Sequence, residues 1–419
     1  MLHHRAPEFE AVLADVRAGL KWLFQTKQEV LVFAASGTGA MEGAVANVLS
    51  PGDRALVVRG GNFGERWAHI CQAYGIETTT IDVEWGRAVR PAAVKAALDA
   101  DPSIRAVFMT ASETSTGVKH PTREVAELVR SREQTVLVVD AITALGVFDL
   151  PMDAWGIDVL VAGSQKALML PPGLAFAAVS RKAWAFVERA KLPRFYFDFR
   201  KEQKAIVANQ TAWTPAVSLI VGLHDTLAMM QAEGLEALFA RHALFARATR
   251  EAMVALGLEL YAETPSEAVT VVKGPGGMET STIVKHLRER YGVTIIGGQG
   301  QAKGKVFRIA TLGWADPFDV IGVVAAVEMG LKDLGVPVEI GTGVAAAQRI
   351  LHTAEAAGPA SLTGAPAEPP GWGPGCPPGY PPEGEGVGGR PAERLGEAEG
   401  SVGCPTRGGP ARMAPAGTE

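Results

Sequence analysis

Short, wholly apolar runs separated by helix-length segments constrain this 419-residue chain more than any other feature. Arg54-Ala55-Leu56-Val57-Val58, the run from Ile104 to Thr110, and Thr135-Val136-Leu137-Val138-Val139-Asp140 have no polar face. A strand that is apolar on both sides must be covered on both sides, which is the condition of a parallel sheet between helix layers. The intervening segments carry helix signals. Pro7 opens one with Phe9, Val12, Leu13, Val16, Leu20 and Leu23 at helical spacing, Pro51-Gly52-Asp53 stops a second near Leu49, and Pro121 opens another. The alternation predicts further helices over about 63–73 and 91–98, and strands over about 29–34, 76–83 and 175–179. Crossovers between parallel strands should be right-handed.

From Thr214-Pro215-Ala216 a long helical region runs to about Ala255, with a break near Gly234. Strand, helix, strand, strand and helix then follow over 268–272, 281–290, 293–296, 305–310 and 317–334. The expected organisation is a large domain over 1–238, a smaller C-terminal α+β domain over 239–338 and a low-complexity tail over 339–419. From Ala357 onward, Pro, Gly, Ala, Glu and Arg leave almost no aliphatic periodicity. Such a segment buries too little apolar surface to offset its backbone entropy, so disorder is expected there. Read-through or frame-shifted sequence would look the same.

With 47% hydrophobic and 20% charged residues and a net charge of −5, the chain reads as a well-cored globular protein with no basic signature for nucleic acid or an anionic membrane. No apolar run is long enough to span a bilayer, and the start has no signal-peptide core. Three cysteines, Cys71, Cys376 and Cys404, make no disulfide framework, which points to a reducing cytoplasm. His3-His4 lacks further ligands at useful spacing, so no metal site is expected.

Chemistry should collect where strands open into loops. Val159-Leu160-Val161-Ala162-Gly163-Ser164-Gln165-Lys166 ends an apolar run in a single lysine, followed by the apolar turn Ala167 to Gly173. Desolvation there favours the neutral amine that a Schiff-base lysine needs, although a solvated loop lysine has the same sequence. Ser36-Gly37-Thr38-Gly39 stands between a strand and a helix, where glycines and free N–H groups cradle an anion, or simply relieve a tight turn. Asp140 is a strand-end carboxylate in apolar surroundings and needs a partner, unless it only caps a turn. Glu113-Thr114-Ser115-Thr116-Gly117 adds hydroxyls to the same sheet edge, and Arg308 lies between Phe307 and Ile309 in the last strand. A guanidinium there is either paired structurally or aimed at a carboxylate ligand.

Glycine loop, strand-end Asp, strand-end Lys and distal Arg follow one another in the order expected of a pyridoxal-phosphate enzyme. With SGTGAMEGAVANVLSPGD, SETSTGV, VVDAITALG, GSQKALMLPPG, TAWTPAVSLI and GKVFRIATLG in sequence, the chain resembles the class V aminotransferases, in particular the alanine–glyoxylate (serine–pyruvate) group, over about Phe24 to Leu334. The resemblance implies an α/β chain of the fold-type-I pyridoxal-phosphate transferases, with pyridoxal 5'-phosphate as cofactor. By the same resemblance, Lys166 is the Schiff-base lysine and proton carrier, and Asp140 the partner of the pyridine nitrogen. Gly37, Thr38 and Gly39, helped by Gln165, correspond to the phosphate loop. Phe63 corresponds to the aromatic stacked on the ring, Thr114 to a hydroxyl at the ring edge, and Ile142 to an apolar contact on the other face. Arg308 corresponds to the arginine that holds the substrate α-carboxylate.

Thr214 matches a hydroxyl that reaches the partner's phosphate site, which implies a homodimer with composite sites. Thr211 stands where the family has a tyrosine. Family members begin with an arm bearing a Pro-Gly-Pro segment, and this sequence starts about where that arm ends, so the arm is expected to be missing. The expected activity moves an amino group from alanine or serine to glyoxylate or pyruvate. Other reactions on the fold fit less well: a cysteine desulfurase needs a mobile cysteine and a histidine where Gln165 stands. A nucleotide-binding dehydrogenase would carry an acidic residue after Val57-Val58 instead of Arg59-Gly60-Gly61. A homologue that keeps the fold but has lost catalysis is the remaining alternative.

Overall fold

The apolar runs become strands of one central sheet: Val30–Phe33, Val136–Asp140, Val159–Gly163 and Ala175–Val179 are buried at every residue, whereas the edge strand Glu77–Asp82 is half-buried to exposed. The computed structural model describes residues 2–355. In chain order, α1 (Pro7–Phe24) leads into β1 (Val30–Phe33), α2 (Gly37–Val48), β2 (Arg54–Arg59), α3 (Asn62–Ala73), β3 (Glu77–Asp82), α4 (Pro91–Ala100) and β4 (Ile104–Thr110). A small hairpin, β5 (Ser112–Glu113) and β6 (Val118–Lys119), precedes α5 (Thr122–Arg130), β7 (Val136–Asp140), α6 (Met152–Trp155) and β8 (Val159–Gly163). Next come β9 (Ala175–Val179), α7 (Arg181–Arg189), α8 (Phe199–Ile206), α9 (Val217–Glu233) and α10 (Leu235–Ala255). The remaining elements are β10 (Val269–Lys273), α11 (Thr280–Tyr291), β11 (Ile296–Gly297), β12 (Val306–Ala310), α12 (Pro317–Asp333) and α13 (Thr342–Glu355).

The large sheet has seven strands in the order β1-β9-β8-β7-β4-β2-β3. Pairings from β3 through β2, β4 and β7 to β8 are parallel, whereas β9 runs antiparallel to both β8 and β1. Because β1 and β8 both oppose β9, β1 ends at the same sheet edge as β8 and β7. Parallel strands deliver all their following loops to one edge, so topology gathers 34–38, 59–63, 111–116, 140–146 and 163–170 there. The main core packs the sheet against its helices, with Phe9, Leu13, Leu20, Trp67, Phe108 and Phe176 fully buried. Each such side chain contributes about 1.5–3 kcal/mol.

A second core joins α10, α11, α12 and α13 to a three-stranded antiparallel sheet of order β10-β12-β11, around Phe245, Met253, Phe307, Val324 and Leu331. The chain breaks between α9 and α10 at Gly234, which has φ +84°. The expected strand over 293–296 shrinks to the two residues of β11. Three helices were not expected: the single turn of α6, and α8 and α13. Asp198 caps α8 by accepting from Arg200 N, inside what reads as an irregular aromatic stretch. Within the segment assigned to the tail, 342–355 forms α13 and buries Ala347 and Leu351 in the second core. Its few aliphatic residues fall on one face, which a composition argument over the whole tail overlooks. Residues 356–419, with Cys376 and Cys404, lie outside the described residues. No helix among the described residues is long and apolar enough to cross a membrane.

The start of α13 depends on Glu328 of α12, a buried carboxylate that accepts from the backbone N–H groups of Gly341, Gly343 (3.0 Å) and Val344 (3.1 Å). Those donors are the orphans of a helix N-terminus, and a carboxylate also meets the favourable end of its dipole. Glu328→Ala strands them, and should lower stability by about 2 kcal/mol in urea unfolding.

Candidate active site

Parallel β7 and β8 place Asp140 beside Val161, so Lys166 leaves the neighbouring strand five residues further on. Asp140 is only 5% exposed, and its Oδ1 accepts one hydrogen bond, from Ile142 N at 2.8 Å. Burial pushes its carboxyl up to about 7, helped by the charge of Glu113 and opposed by Arg66 and Lys166. Lys166 is half-buried, and its Nζ donates no hydrogen bond among the described residues. Burial and then the Arg308 charge hold its ammonium below the ordinary range, against the pull of Asp140. Lys166 therefore lies in the fields of both Asp140 and Arg308.

The turn that carries Lys166 is fixed from several sides. Met169 N donates to Lys166 O at 3.0 Å, and Met169 adopts φ +61°, an uncommon conformation for a side chain of its size. Ser164 Oγ donates to Pro171 O at 2.8 Å and accepts from Leu174 N at 3.1 Å. Gly313 closes on the same turn: a Cβ there would stand 3.3 Å from Lys166 O. Its own backbone is gripped by α10, since Arg241 Nη1 donates to Gly313 O at 3.0 Å while His242 Nε2 accepts from Gly313 N at 3.1 Å. Burial pushes His242 down to about 4, and its Nδ1 faces Leu238 O at 2.8 Å, so the neutral ring leaves Nε2 as the acceptor.

At the start of α2, Ser36 is the N-cap but makes no side-chain cap, and the first turn holds no acidic residue. A cation stands there instead: Arg66 Nη1 donates to Thr38 Oγ1 at 3.0 Å, with the guanidinium 4.8 Å from the centroid of the Phe63 ring. A positive charge at the positive end of a helix is electrostatically unfavourable until an anion joins it. Gln165 Oε1 is buried without a hydrogen-bond partner, and a Cβ added to Gly163 would lie 2.9 Å from it. Ile142 packs so closely that a Cβ on Gly37 would meet its Cδ1 at 2.4 Å. Helix N-terminus, hydroxyl and guanidinium make a donor set suited to a phosphate, and the amide of Gln165 stands beside it with its oxygen unpaired.

Arg308 reaches this edge from β12 and is 7% exposed. Its Nε donates to Gly297 O at 3.0 Å and its Nη1 to Thr114 O at 3.2 Å, which leaves Nη2 without an acceptor among the described residues. Thr114 Oγ1 pairs with Thr143 Oγ1 at 2.8 Å. Of the residues singled out in the sequence, the structure brings Gly37, Thr38, Gly39, Phe63, Thr114, Asp140, Ile142, Gln165, Lys166 and Arg308 to one edge of the sheet. Thr214 stands apart, lining a cavity outside β1 with Ala34, Tyr196, Glu202 and Trp213.

Sequence reasoning passed over Glu113, Arg66, Arg241 and His242. Glu113 is fully buried and accepts from Phe63 N (3.1 Å), Gly64 N (2.9 Å), Ser115 N (3.2 Å) and Ser115 Oγ (2.5 Å). It thereby fixes the start of α3, which carries Phe63 and, one turn later, Arg66. An acidic residue buried at the end of an apolar strand is the signal that could have singled it out.

The fold is that of the pyridoxal-phosphate transferases, and a structure of pyridoxamine-pyruvate aminotransferase from Mesorhizobium loti superposes with a TM-score of 0.80 at 28% identity, over 84% of this chain and 92% of that one. The family model for Aminotransferase class-V matches residues 1–312. The chain belongs to this family of aminotransferases, which implies pyridoxal-phosphate chemistry. Two relatives add detail. A protein named "Soluble hydrogenase, small subunit" from Synechococcus sp. (strain PCC 6716) is 46% identical over 84% of this chain and 92% of its own. An L-aspartate–glyoxylate aminotransferase from Paracoccus denitrificans is 41% identical, over 83% of this chain and 89% of its own. Among the described residues, Cys71 is the single cysteine, and no group of three or more His, Cys, Asp or Glu side chains is placed to hold a metal ion.

Asp140 gives a pH dependence with a definite sign. In the cofactor-free protein its folded value of about 7 exceeds the unfolded value of about 3.9. Between them, the unfolded chain releases a proton that the folded chain keeps, so stability falls as pH rises through that window. Asp140→Asn should flatten part of the slope in denaturant titrations across it. Glu202, also pushed up to about 7 by burial, keeps its own share.

Proposed function

We propose that this aminotransferase carries an amino group from a small amino acid, serine or alanine, to glyoxylate or pyruvate in two half-reactions, with pyridoxal 5'-phosphate as its cofactor. The observation that carries the reading is the placement of Asp140 and Lys166 at the ends of neighbouring parallel strands, with Arg308 brought to the same edge by its hydrogen bond to Thr114 O. Gly37, Thr38, Gly39, Gln165 and Arg66 would hold the phosphate, and Phe63 and Ile142 the two faces of the ring. Thr114 would lie at the ring edge. Asp140, whose carboxyl burial raises to about 7, would face the ring nitrogen, and its charge would favour the protonated form of that nitrogen. Bound pyridoxal phosphate supplies the electron sink for the pair left on Cα when a proton departs.

Every other task falls to the protein. Lys166, whose amine is held below the usual lysine range, moves the proton at Cα. Arg308, with Nη2 uncommitted, takes the α-carboxylate of donor and acceptor in turn. Relatives named for glyoxylate and pyruvate support a short 2-oxo acid as acceptor. A homodimer completes the proposal, with Thr214 reaching the partner's phosphate site. Exposed Phe195 and Tyr196, both stacked on Trp213, are apolar surface suited to burial against a second copy. A cytoplasmic location agrees with Cys71 being a buried free thiol.

Borohydride reduction of the yellow protein followed by peptide mass mapping should find the cofactor on Lys166; a label on another lysine rejects the assignment. Lys166→Ala should lower kcat by at least about 100-fold. Arg308→Ala should raise KM for donor and acceptor by about 10- to 100-fold, as the loss of charge-assisted hydrogen bonds dictates.

A further inference from the structure

A second bridge runs beside Arg308 between the same two loops. Arg308 spans from Gly297 O to Thr114 O. Asn62 spans from Ser115 to Gln299, one residue further along the first loop and two along the second. Its backbone N–H donates to Ser115 Oγ at 3.0 Å, and its side-chain Nδ2 donates to Gln299 Oε1 at 3.1 Å. Asn62 is also the residue before Phe63. The amide pair thus lies between the start of the helix that carries the aromatic and the strand-end loop that holds the carboxylate-binding arginine.

What the pair leaves free decides its chemistry. Asn62 Oδ1 is turned against the backbone of Gly300, where a Cβ would come within 2.7 Å of it and 2.8 Å of the Trp85 ring; Gly300 itself has φ +49°. Oε1 of Gln299 is taken by Asn62. The second N–H of Asn62 and both N–H groups of Gln299 Nε2 have no acceptor among the described residues. Gln299 is exposed and Asn62 half-buried, so the Gln299 donors are open to a ligand. The pair is neutral and donor-rich.

We propose that Asn62 and Gln299 are specificity-determining residues that select donors with an acceptor oxygen on the side chain, the hydroxyl of serine or the carboxylate of aspartate, over alanine. This rests on the transamination reading above. In this proposal the α-carboxylate sits on Arg308, and a side-chain oxygen one or two bonds beyond Cβ meets the amides that bridge the same two loops. A site that hydrogen-bonds such an oxygen discriminates against the analogue that lacks it.

The test compares kcat/KM for L-serine, L-aspartate and L-alanine, with glyoxylate as acceptor, in the holoenzyme and in Gln299→Leu and Asn62→Ala. Expected is a loss of about 10-fold for serine, aspartate or both, with alanine changed less than about twofold. Gln299→Glu separates the two sources, because a carboxylate repels aspartate and still accepts from the serine hydroxyl. An equal loss for all three donors, or no loss for serine and aspartate, overturns the proposal. If no donor is turned over, the transamination reading falls, and calorimetric Kd values for the three acids decide the amide pair. Tighter binding of serine or aspartate than of alanine, erased in Gln299→Leu, sustains it; equal binding overturns it.

Discussion

The cost of taking a carboxylate out of water organises this molecule, because a buried charge persists only where hydrogen-bond donors replace the lost solvent. Glu113 and Glu328 meet that cost in the same way. Each lies buried without a hydrogen-bonded cation and takes backbone N–H groups at the start of a helix, Phe63 and Gly64 for α3, and Gly341, Gly343 and Val344 for α13. A helix N-terminus has donors to spare and a dipole of the right sign. Burial still pushes Glu113 upward, against four hydrogen bonds. That makes its place at the junction of β5 and α3 a commitment the sheet edge is built around: a Cβ on Gly61 would run into its carboxyl carbon at 2.4 Å.

Asp140 departs from this pattern, as Glu202 does with its one donor, Ala212 N, but Asp140 does so at the functional sheet edge. It is as enclosed as the two glutamates but receives a single backbone donor, Ile142 N. Burial raises its carboxyl to about 7, and it is short of a partner. The deficit has a counterpart of opposite sign on the same sheet edge, where Arg66, Thr38 and the start of α2 gather donors with no acidic side chain in the first turn. One unpaired acid and one unpaired cradle on the same sheet edge are complementary to a molecule with a basic ring and a phosphate. Lys166 stands by them with its amine uncommitted.

Much of this was legible in the primary structure, and the reasons are local. Fully apolar runs such as Val136–Asp140 announce a sheet covered on both faces, and the small residues after 35 and 163 announce loops at its edge. Asp140, Lys166 and the glycine loop could be singled out because each follows a strand directly. Glu113 follows a strand too, but its hydroxyl neighbours drew the attention, and its acceptor role depends on α3, some 50 residues earlier in the chain. Arg241, His242, Asn62 and Gln299 were not legible. Arg241 and His242 sit at ordinary positions of an amphipathic helix, and their partner Gly313 lies about 70 residues away. The first turn of α13 escaped for the same reason, since its cap comes from a different helix.

The sequence by itself determined the alternation of strands and helices, the sheet edge at which the functional loops emerge, and which of those loops carry a lysine, an acid and a glycine turn. These follow from hydrophobic period and from residues adjacent in the chain, where distance in sequence and distance in space agree. Only the tertiary structure decided which carboxylate lacks partners, which cation faces a helix N-terminus, and which two loops Arg308 and the Asn62–Gln299 pair join. Burial and hydrogen-bond supply are properties of neighbours brought together from far along the chain, and no local pattern encodes them.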